Sequence, residues 1–326
     1  MIRVKFVFIF FVAFVSTNAQ TFIKDSETKD PVSYASISFG DGQGIFADEE
    51  GMFIFNKKLY KDVDSLFISA LGYKEAKLAS ENLKDTIFLE PKIDKLSEVV
   101  ITVIPDRKFK TEKLKPYLDD DYYHCWLPTI ESEIAVLFKN EDAREKQLTS
   151  VLFPIALESR DWKKRKRSNA DKRKFSTLFK VMFYENNGGL PGEPIVNETI
   201  VFIATEKDGD QHELNVADYK ILIPPSGFFV SIQVLGYTHK QGKLLPNKKY
   251  KEVKTQTGIV KIPTNFRPLL PFTDEVNGAR TYIKRVFINN NQWKLFKKGN
   301  GFRSSLLDQG LTNYGVGFTY KVFKEN

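Results

Sequence analysis

The chain has 326 residues and is 42% hydrophobic, which is enough for two domains, and its 28 phenylalanines against 3 methionines favour aromatic-rich sheet faces. A single cysteine, Cys125, excludes an intramolecular disulfide framework. The formal net charge of +8 and the pI near 9.2 mildly favour anionic partners, such as acidic polysaccharide, without choosing among them.

Residues 1–19 have the pattern of a cleaved signal peptide. Arg3 and Lys5 give a positive start, residues 6–15 are an unbroken apolar run, and residues 17–19 are small. The apolar run is too short to cross a bilayer, which takes about 20 residues. We therefore expect an exported chain without a transmembrane span, and not a lipoprotein, because no cysteine follows the cleavage site. Without Arg3 and Lys5, 47 basic residues face 41 acidic ones, a net charge of +6.

The next stretch consists of short alternating strands separated by turn residues. An Asp-x-x-Gly-x-Phe spacing places a polar residue and a glycine where a hairpin closes, and the following apolar residue then enters the core. A Gly-Tyr pair marks a second turn. The pattern predicts a small β-sandwich with structural roles for Asp48, Gly51, Phe53, Gly72 and Tyr73.

These motifs resemble the carboxypeptidase regulatory-like domain, a transthyretin-like sandwich found beside zinc carboxypeptidases and at the N-termini of TonB-dependent outer-membrane receptors. A Pro-Val pair at residues 31–32 also matches, as do residues 96–101, which look like the connector that follows the domain in the receptors. Residues 21–23 lack the usual strand-initial glycine, and Ala47 stands where threonine is common. The resemblance implies a cell-envelope module over about residues 21–103, within a predicted first domain of residues 20–104.

Residues 105–128 are polar and lack periodicity, so they are predicted to be a linker. From residue 129 to 326 short β-branched or aromatic runs return, which predicts about eight strands of a second sandwich. These runs occupy residues 134–138, 148–157, 175–184, 198–204, 227–235, 258–262, 281–288 and 314–323.

The centre of this second domain resembles exported jelly-roll modules, several of which sit beside hydrolases or bind carbohydrate. The similarity lies in the strand FKVMFY at residues 179–184, the turn GGLPGEP at residues 188–194 and the strand start GFFV at residues 227–230. The whole sequence therefore predicts an all-β chain with an N-terminal transthyretin-like sandwich and a C-terminal jelly-roll-like sandwich. A receptor barrel is excluded, because too few residues remain after the connector for 22 strands.

Candidates for catalysis are few. A zinc peptidase needs a histidine and a glutamate three residues apart, and no glutamate follows His124, His212 or His239 at that spacing. Cys125 is predicted to be buried rather than nucleophilic, because adjacent strand residues such as His124 and Cys125 point to opposite faces. We predict no catalytic residue and no cofactor.

Two acidic segments are candidates for metal sites. Residues 208–210, with the sequence Asp-Gly-Asp, lack the regular oxygen ladder of a calcium loop, so a plain β-turn is predicted. Residues 119–121, three aspartates, are predicted to be a polar face of the linker first and a metal or partner site second. No metal site is predicted.

One basic run stands out, with eight cations within residues 163–174 and a tryptophan just before it. In an exported chain we expect no nucleic-acid ligand, so the functional interpretation is a patch for anionic glycan or lipid phosphate, with the tryptophan as a stacking platform. The alternative is a solvated loop. The patch comprises Trp162, Lys163, Lys164, Arg165, Lys166, Arg167, Lys172, Arg173 and Lys174.

Three functional hypotheses follow. The leading one is an exported, non-enzymatic interaction or structural module of the cell envelope, periplasmic or at the outer surface, whose partner is a glycan or an envelope protein. The second is a carbohydrate-binding protein, which predicts exposed aromatic residues on one sheet face. The third is an accessory subunit of a hydrolase, which predicts a cleft where carboxylates such as Glu131, Glu133 and Glu158 converge.

Overall fold

A computed structural model of the protein describes residues 20–92 and 107–324, apart from residues 143, 166–169, 248–249, 257 and 289–291. The predicted signal peptide and the receptor-like connector at residues 96–101 lie outside these ranges. Within them the chain is almost entirely β, with one short α-helix, α1 (Ser305–Asp308). The predicted all-β sandwich fold is confirmed.

The N-terminal sandwich, residues 20–92, packs two sheets against each other. Its strands are β1 (Gln20–Asp25), β2 (Ser36–Ser38), β3 (Gly44–Phe46), β4 (Met52–Ile54), β5 (Ser65–Ser69), β6 (Ala76–Ala79) and β7 (Thr86–Leu89). One sheet has the order β4-β1-β7 and the other β3-β2-β5-β6. Every second side chain of a strand points to the same face, and the inward-facing ones fill the space between the two sheets. Among them Ile23, Ile37 and Leu66 are fully buried.

The predicted turn residues hold the β3–β4 connection together. Asp48 Oδ1 accepts hydrogen bonds from the backbone N–H groups of Glu50 (3.0 Å) and Met52 (2.9 Å). Gly51 has φ +71°, and a Cβ there would lie 2.4 Å from the carbonyl oxygen of Ile23, so only glycine fits. Phe53 then enters the core at 2% exposure.

The second turn joins β5 to β6. Gly72 there has φ +80°, which glycine adopts without strain. The following Tyr73 donates its hydroxyl hydrogen to Asp25 Oδ2 (2.9 Å), which ties the turn to the end of β1. Both turns therefore have structural contacts within the N-terminal sandwich.

The main sandwich, residues 107–324, surrounds a larger core rich in phenylalanine. Its strands are β8 (Phe109–Leu114), β9 (Cys125–Trp126), β10 (Ser132–Phe138), β11 (Lys146–Pro154), β12 (Ser176–Asn187), β13 (Leu190–Pro194), β14 (Ile200–Thr205), β15 (Gln211–Asn215), β16 (Phe228–Tyr237), β17 (Lys251–Thr255), β18 (Gly258–Ile262), β19 (Leu270–Thr273), β20 (Thr281–Arg285), β21 (Lys294–Leu295), β22 (Asn313–Tyr314) and β23 (Gly317–Phe323).

Two sheets form the faces of the main sandwich. The larger has the order β13-β12-β16-β10-β20-β21, with β14 also paired to β12, and the other has the order β15-β11-β23-β8. A small sheet, β22-β19-β9, lies apart from both, and β17 and β18 form a hairpin of their own. The antiparallel pairing of β12 with β16 runs over nine registered residue pairs.

The segment predicted to be a linker contains a strand. β8 pairs antiparallel with β23 from Phe109 opposite Phe323 to Leu114 opposite Phe318. The sequence pattern did not reveal this strand, because β8 is at the edge of its sheet and has no apolar face. Its residues are mostly exposed, including Phe109 at 48%. Residues 122–124 add a single 3-10 turn before β9.

The two sandwiches exchange aromatic side chains. Phe46 from β3 packs in the main core, with its ring centroid 5.2 Å from that of Phe287. Tyr250 from the main sandwich packs in the N-terminal core, where its hydroxyl accepts from the N–H of Gly44 (3.0 Å) and lies 3.3 Å from the Gly44 carbonyl oxygen. A Cβ on Gly44 would lie 2.4 Å from Phe287, so the close approach needs glycine.

Candidate functional site

The basic run forms the loop between β11 and β12. A short ladder closes its base, because the N–H of Arg160 donates to the carbonyl of Asp171 and the N–H of Arg173 donates to the carbonyl of Glu158, each at 2.9 Å. Ser159 and Lys172 form the bridge between them. The ladder brings cations from both ends of the loop to one place.

Glu158 lies at the centre of this place with its side chain fully buried. Its carboxylate pairs with Arg165 Nη2 (3.1 Å) and Arg173 Nε (3.1 Å), and also with the guanidinium of Arg267. A carboxylate removed from water needs such partners, and arginine supplies several donors in a fixed plane. Three positive charges around one negative charge give this cluster a net charge of +2.

The excess charge borders a cavity of about 470 Å³, which we call the arginine pocket. Among the described residues its lining contains four cations, a phenol and an amide, and no carboxylate: Arg160, Arg173, Lys174, Arg267, Tyr237 and Asn265. Among the described residues, neither Arg160 nor Lys174 has an ion-pair partner, whereas Arg173 and Arg267 are held by Glu158. The pocket therefore combines two fixed guanidiniums with two cations that are available to a ligand.

The structure divides the predicted patch into three parts. Arg165 turns inward, where its guanidinium also stacks 3.9 Å from the ring centre of Tyr122. Arg173 and Lys174 line the arginine pocket, whereas Lys172 lines a neighbouring cavity. The third part faces solvent on a 3-10 turn capped by Asp161, with Trp162 61% exposed, and consists of Trp162, Lys163 and Lys164. Lys166 and Arg167 lie outside the described residues.

Glu133 lies in a second buried charge cluster, on the outer face of the larger sheet. Register places Lys284, Glu133, Gln233 and Lys180 side by side on β20, β10, β16 and β12. Lys284 Nζ lies 2.8 Å from the carboxylate, and Ser231 and Tyr184 donate hydroxyl hydrogen bonds of 2.6 and 2.8 Å to it.

These contacts keep Glu133 ionised. Burial alone would raise the pKa of Glu133, but the charges of Lys284 and Lys180, with hydrogen bonds from Lys284 and Ser231, outweigh burial and lower it to about 2. Burial in turn lowers the pKa of Lys180, against the attraction of Glu133. Glu133 is therefore a charged structural partner and has no proton to give at neutral pH.

Two of the three glutamates considered for hydrolysis belong to separate ion-pair clusters. Glu133 pairs with Lys284, Glu158 pairs with arginines, and these two clusters share no residue. Glu131 is 2% exposed and lies near the Tyr250 hydroxyl, whose pKa is raised by burial and by the Glu131 charge.

The histidine and cysteine near β9 serve local structure. Cys125 is buried, as predicted, its thiol donates to the carbonyl of Asp121 (3.2 Å), and burial together with nearby aspartates raises its pKa. His124 Nδ1 lies 2.7 Å from Asp119 Oδ2. A raised pKa keeps the thiol protonated, which does not suit a nucleophile.

The Asp-Gly-Asp segment is a turn, and the carboxylate of its first residue, Asp208, is occupied by local hydrogen bonds. Asp208 accepts from the N–H of Thr205 (2.6 Å) and its second oxygen lies 2.8 Å from His212 Nδ1. Across residues 20–92 and 107–324, with the gaps given above, no three histidine, cysteine, aspartate or glutamate residues are grouped to hold a metal ion. In the same part of the chain no helix is long and apolar enough to cross a membrane.

The sequence analysis found the basic run but missed four of the six residues that line the arginine pocket. Arg160 lies two residues before Trp162, and its cation could have been counted with the run. Arg267 is 109 residues from Glu158, and no local pattern connects the two. Tyr237 and Asn265 carry no signal in the sequence, because their position depends on where β16 and the segment before β19 end.

No model of a known protein family matches the chain, and no curated protein matches it in sequence.

Proposed function

We propose that this protein is an exported, non-enzymatic binding module of the cell envelope, and that the arginine pocket recognises acidic polysaccharide. The observation that carries the proposal is a pocket whose described lining has four cations and no carboxylate, with two of its guanidiniums fixed by the buried Glu158. Export rests on the signal-peptide pattern of residues 1–19.

The lining suits an acidic sugar better than a bare inorganic anion. Arg160 and Lys174 supply charge-assisted donors for a carboxylate or sulfate, and guanidiniums bind such groups in a fixed plane. Asn265 and the Tyr237 hydroxyl add neutral hydrogen-bonding groups of the kind that sugar hydroxyls need. The fixed guanidiniums lose little entropy when a ligand binds, because Glu158 already orders them.

The test compares polygalacturonate, an acidic polysaccharide, with dextran, a neutral one. We expect the purified protein to bind polygalacturonate and not dextran, with weaker binding as salt rises from about 50 to about 200 mM. The double variant Arg160→Ala, Lys174→Ala should bind about tenfold or more weakly, since it removes two charge-assisted contacts. Affinity is measured by biolayer interferometry.

The matched control is Lys163→Ala, Lys164→Ala, which removes the same charge from the same loop but outside the pocket. Its affinity should change less than about threefold, because distant exposed charges are screened. If the two double variants lose affinity equally, the polysaccharide is attracted by the overall charge of the loop and is not bound in the arginine pocket. Binding of dextran as tightly as polygalacturonate would contradict recognition of the acid group.

A further inference from the structure

A second cavity, of about 700 Å³, lies at one edge of the main sandwich, and we call it the edge cavity. Its floor comes from β20 and β10, where Ile283 points into the main core and Ser132 is paired with Arg285. Trp126 of β9 and Phe302, in the segment between β21 and α1, also line it. It shares no lining residue with the arginine pocket.

The apolar part of the lining is continuous with the core. Trp126 and Phe302 are half-buried and pack against the main core, and each ring lies within 5.6 Å of the ring of Phe296. Ile288 at the rim is 45% exposed. Apolar surface that lines a cavity of this size is typical of sites for small organic ligands, which measure about 300–1,000 Å³.

The charged residues that line the edge cavity are positive. Arg285, Lys294 and Arg303 border the edge cavity, and no aspartate or glutamate does so in the part of the chain that the structure describes. Among the described residues none of these three cations has an ion-pair partner. Cations without counterions beside an apolar wall attract a ligand that brings its own negative charge and also buries apolar surface.

We infer that the edge cavity is a binding site for an amphipathic organic anion, a molecule with an apolar chain and one acid group. The chain packs against Trp126, Ile288 and Phe302, while the acid group pairs with Lys294 and Arg303. This inference does not depend on the polysaccharide proposal, because the two sites are separate.

The test is isothermal titration of the purified protein with octanoate. We expect one site per chain, with no detectable binding of acetate, which lacks the chain, or of octylammonium, which reverses the charge, at the same concentrations. Absence of octanoate binding would overturn the inference. Equal binding of octylammonium would also overturn it, because the cations would then have no part in recognition.

Variants separate the two parts of the site. Lys294→Ala with Arg303→Ala should weaken octanoate binding by about tenfold or more, because two charge-assisted contacts are removed. Lys297→Ala with Lys298→Ala is the matched control, since it removes the same charge nearby but outside the lining, and it should leave affinity unchanged. Ile288→Ser should weaken binding several-fold by removing apolar rim surface.

All of these positions are exposed, so the variants should fold like the parent protein, which circular dichroism checks. If the control double variant loses as much affinity as the cavity double variant, the edge cavity is not the site.

Discussion

Glu158 and Glu133 each place a buried carboxylate among cations, but the two clusters balance their charge differently. Glu133 faces two lysines and two hydroxyl donors on the outer face of the larger sheet, and the N-terminal sandwich contributes Leu71 to the apolar packing on that face. Glu158 faces three arginines at the base of a surface loop. Lys284, Ser231 and Tyr184 satisfy the Glu133 carboxylate within the first cluster, whereas the second cluster leaves cations directed toward a pocket.

The difference teaches how a buried acid can be used to build a basic site. Arginines that gather around a cavity repel one another, and a central carboxylate offsets that repulsion while leaving their outer N–H groups free to bind. Lysine with hydroxyl donors satisfies a carboxylate more completely and offers less to a ligand. Three experiments separate the two roles.

The largest expected effect is that of Glu158→Ala. Removing one partner of a buried ionic cluster leaves uncompensated charge, so we expect a loss of about 3–5 kcal/mol in the free energy of unfolding. The loss of ordered guanidiniums should also weaken polygalacturonate binding. Urea denaturation measures the stability. A loss below about 1 kcal/mol would mean that solvent, rather than Glu158, satisfies the arginines.

Next in size is Glu133→Gln. The ordinary pKa of 4.5 falls to about 2 in the folded protein, so the charged form contributes roughly 3 kcal/mol at neutral pH. Because the folded pKa is the lower one, this stability is present above the unfolded value and is lost as the pH falls toward 2.

The measurement for Glu133 is the free energy of unfolding of both proteins from pH 7 to pH 3. The parent protein should lose its advantage over the variant progressively below about pH 5, so that the two curves converge. Parallel curves would show that the folded-state pKa of Glu133 is not lowered, and would contradict the described cluster.

The smallest effect on stability is expected for Arg160→Ala with Lys174→Ala. Neither cation has an ion-pair partner among the described residues, so the free energy of unfolding should change by less than about 0.5 kcal/mol. Thermal denaturation compares this variant with Lys163→Ala, Lys164→Ala. A larger loss would assign Arg160 or Lys174 to the same structural role as Arg173.

The all-β fold could be predicted from the sequence because its strongest strands are short runs rich in β-branched and aromatic residues, separated by turn residues. Residues 227–235 were predicted as a strand, and β16 covers nearly the same range. Strands that lie at edges or pair only briefly, such as β8, β13 and β15, were missed, since their side chains meet little of the core. Edge strands carry a weak hydrophobic pattern by their nature.

The candidate site was less accessible to sequence reasoning. Charge density marked the loop at residues 163–174, but it could not tell Arg165, which turns inward, from Lys163, which faces solvent. That distinction depends on Glu158, a carboxylate whose neighbours come from both ends of the loop and from Arg267. Long-range pairing of this kind is set by strand order, which residue types alone do not specify.

The exchange of Phe46 and Tyr250 has a consequence for the order of events during synthesis. Gly44 emerges from the ribosome 206 residues before the tyrosine whose hydroxyl it binds. At about 5–20 residues per second this interval lasts roughly 10–40 s. During that time the core of the N-terminal sandwich lacks Tyr250, and Phe46 lacks its contact with Phe287. The N-terminal sandwich is thus completed only by residues of the main sandwich.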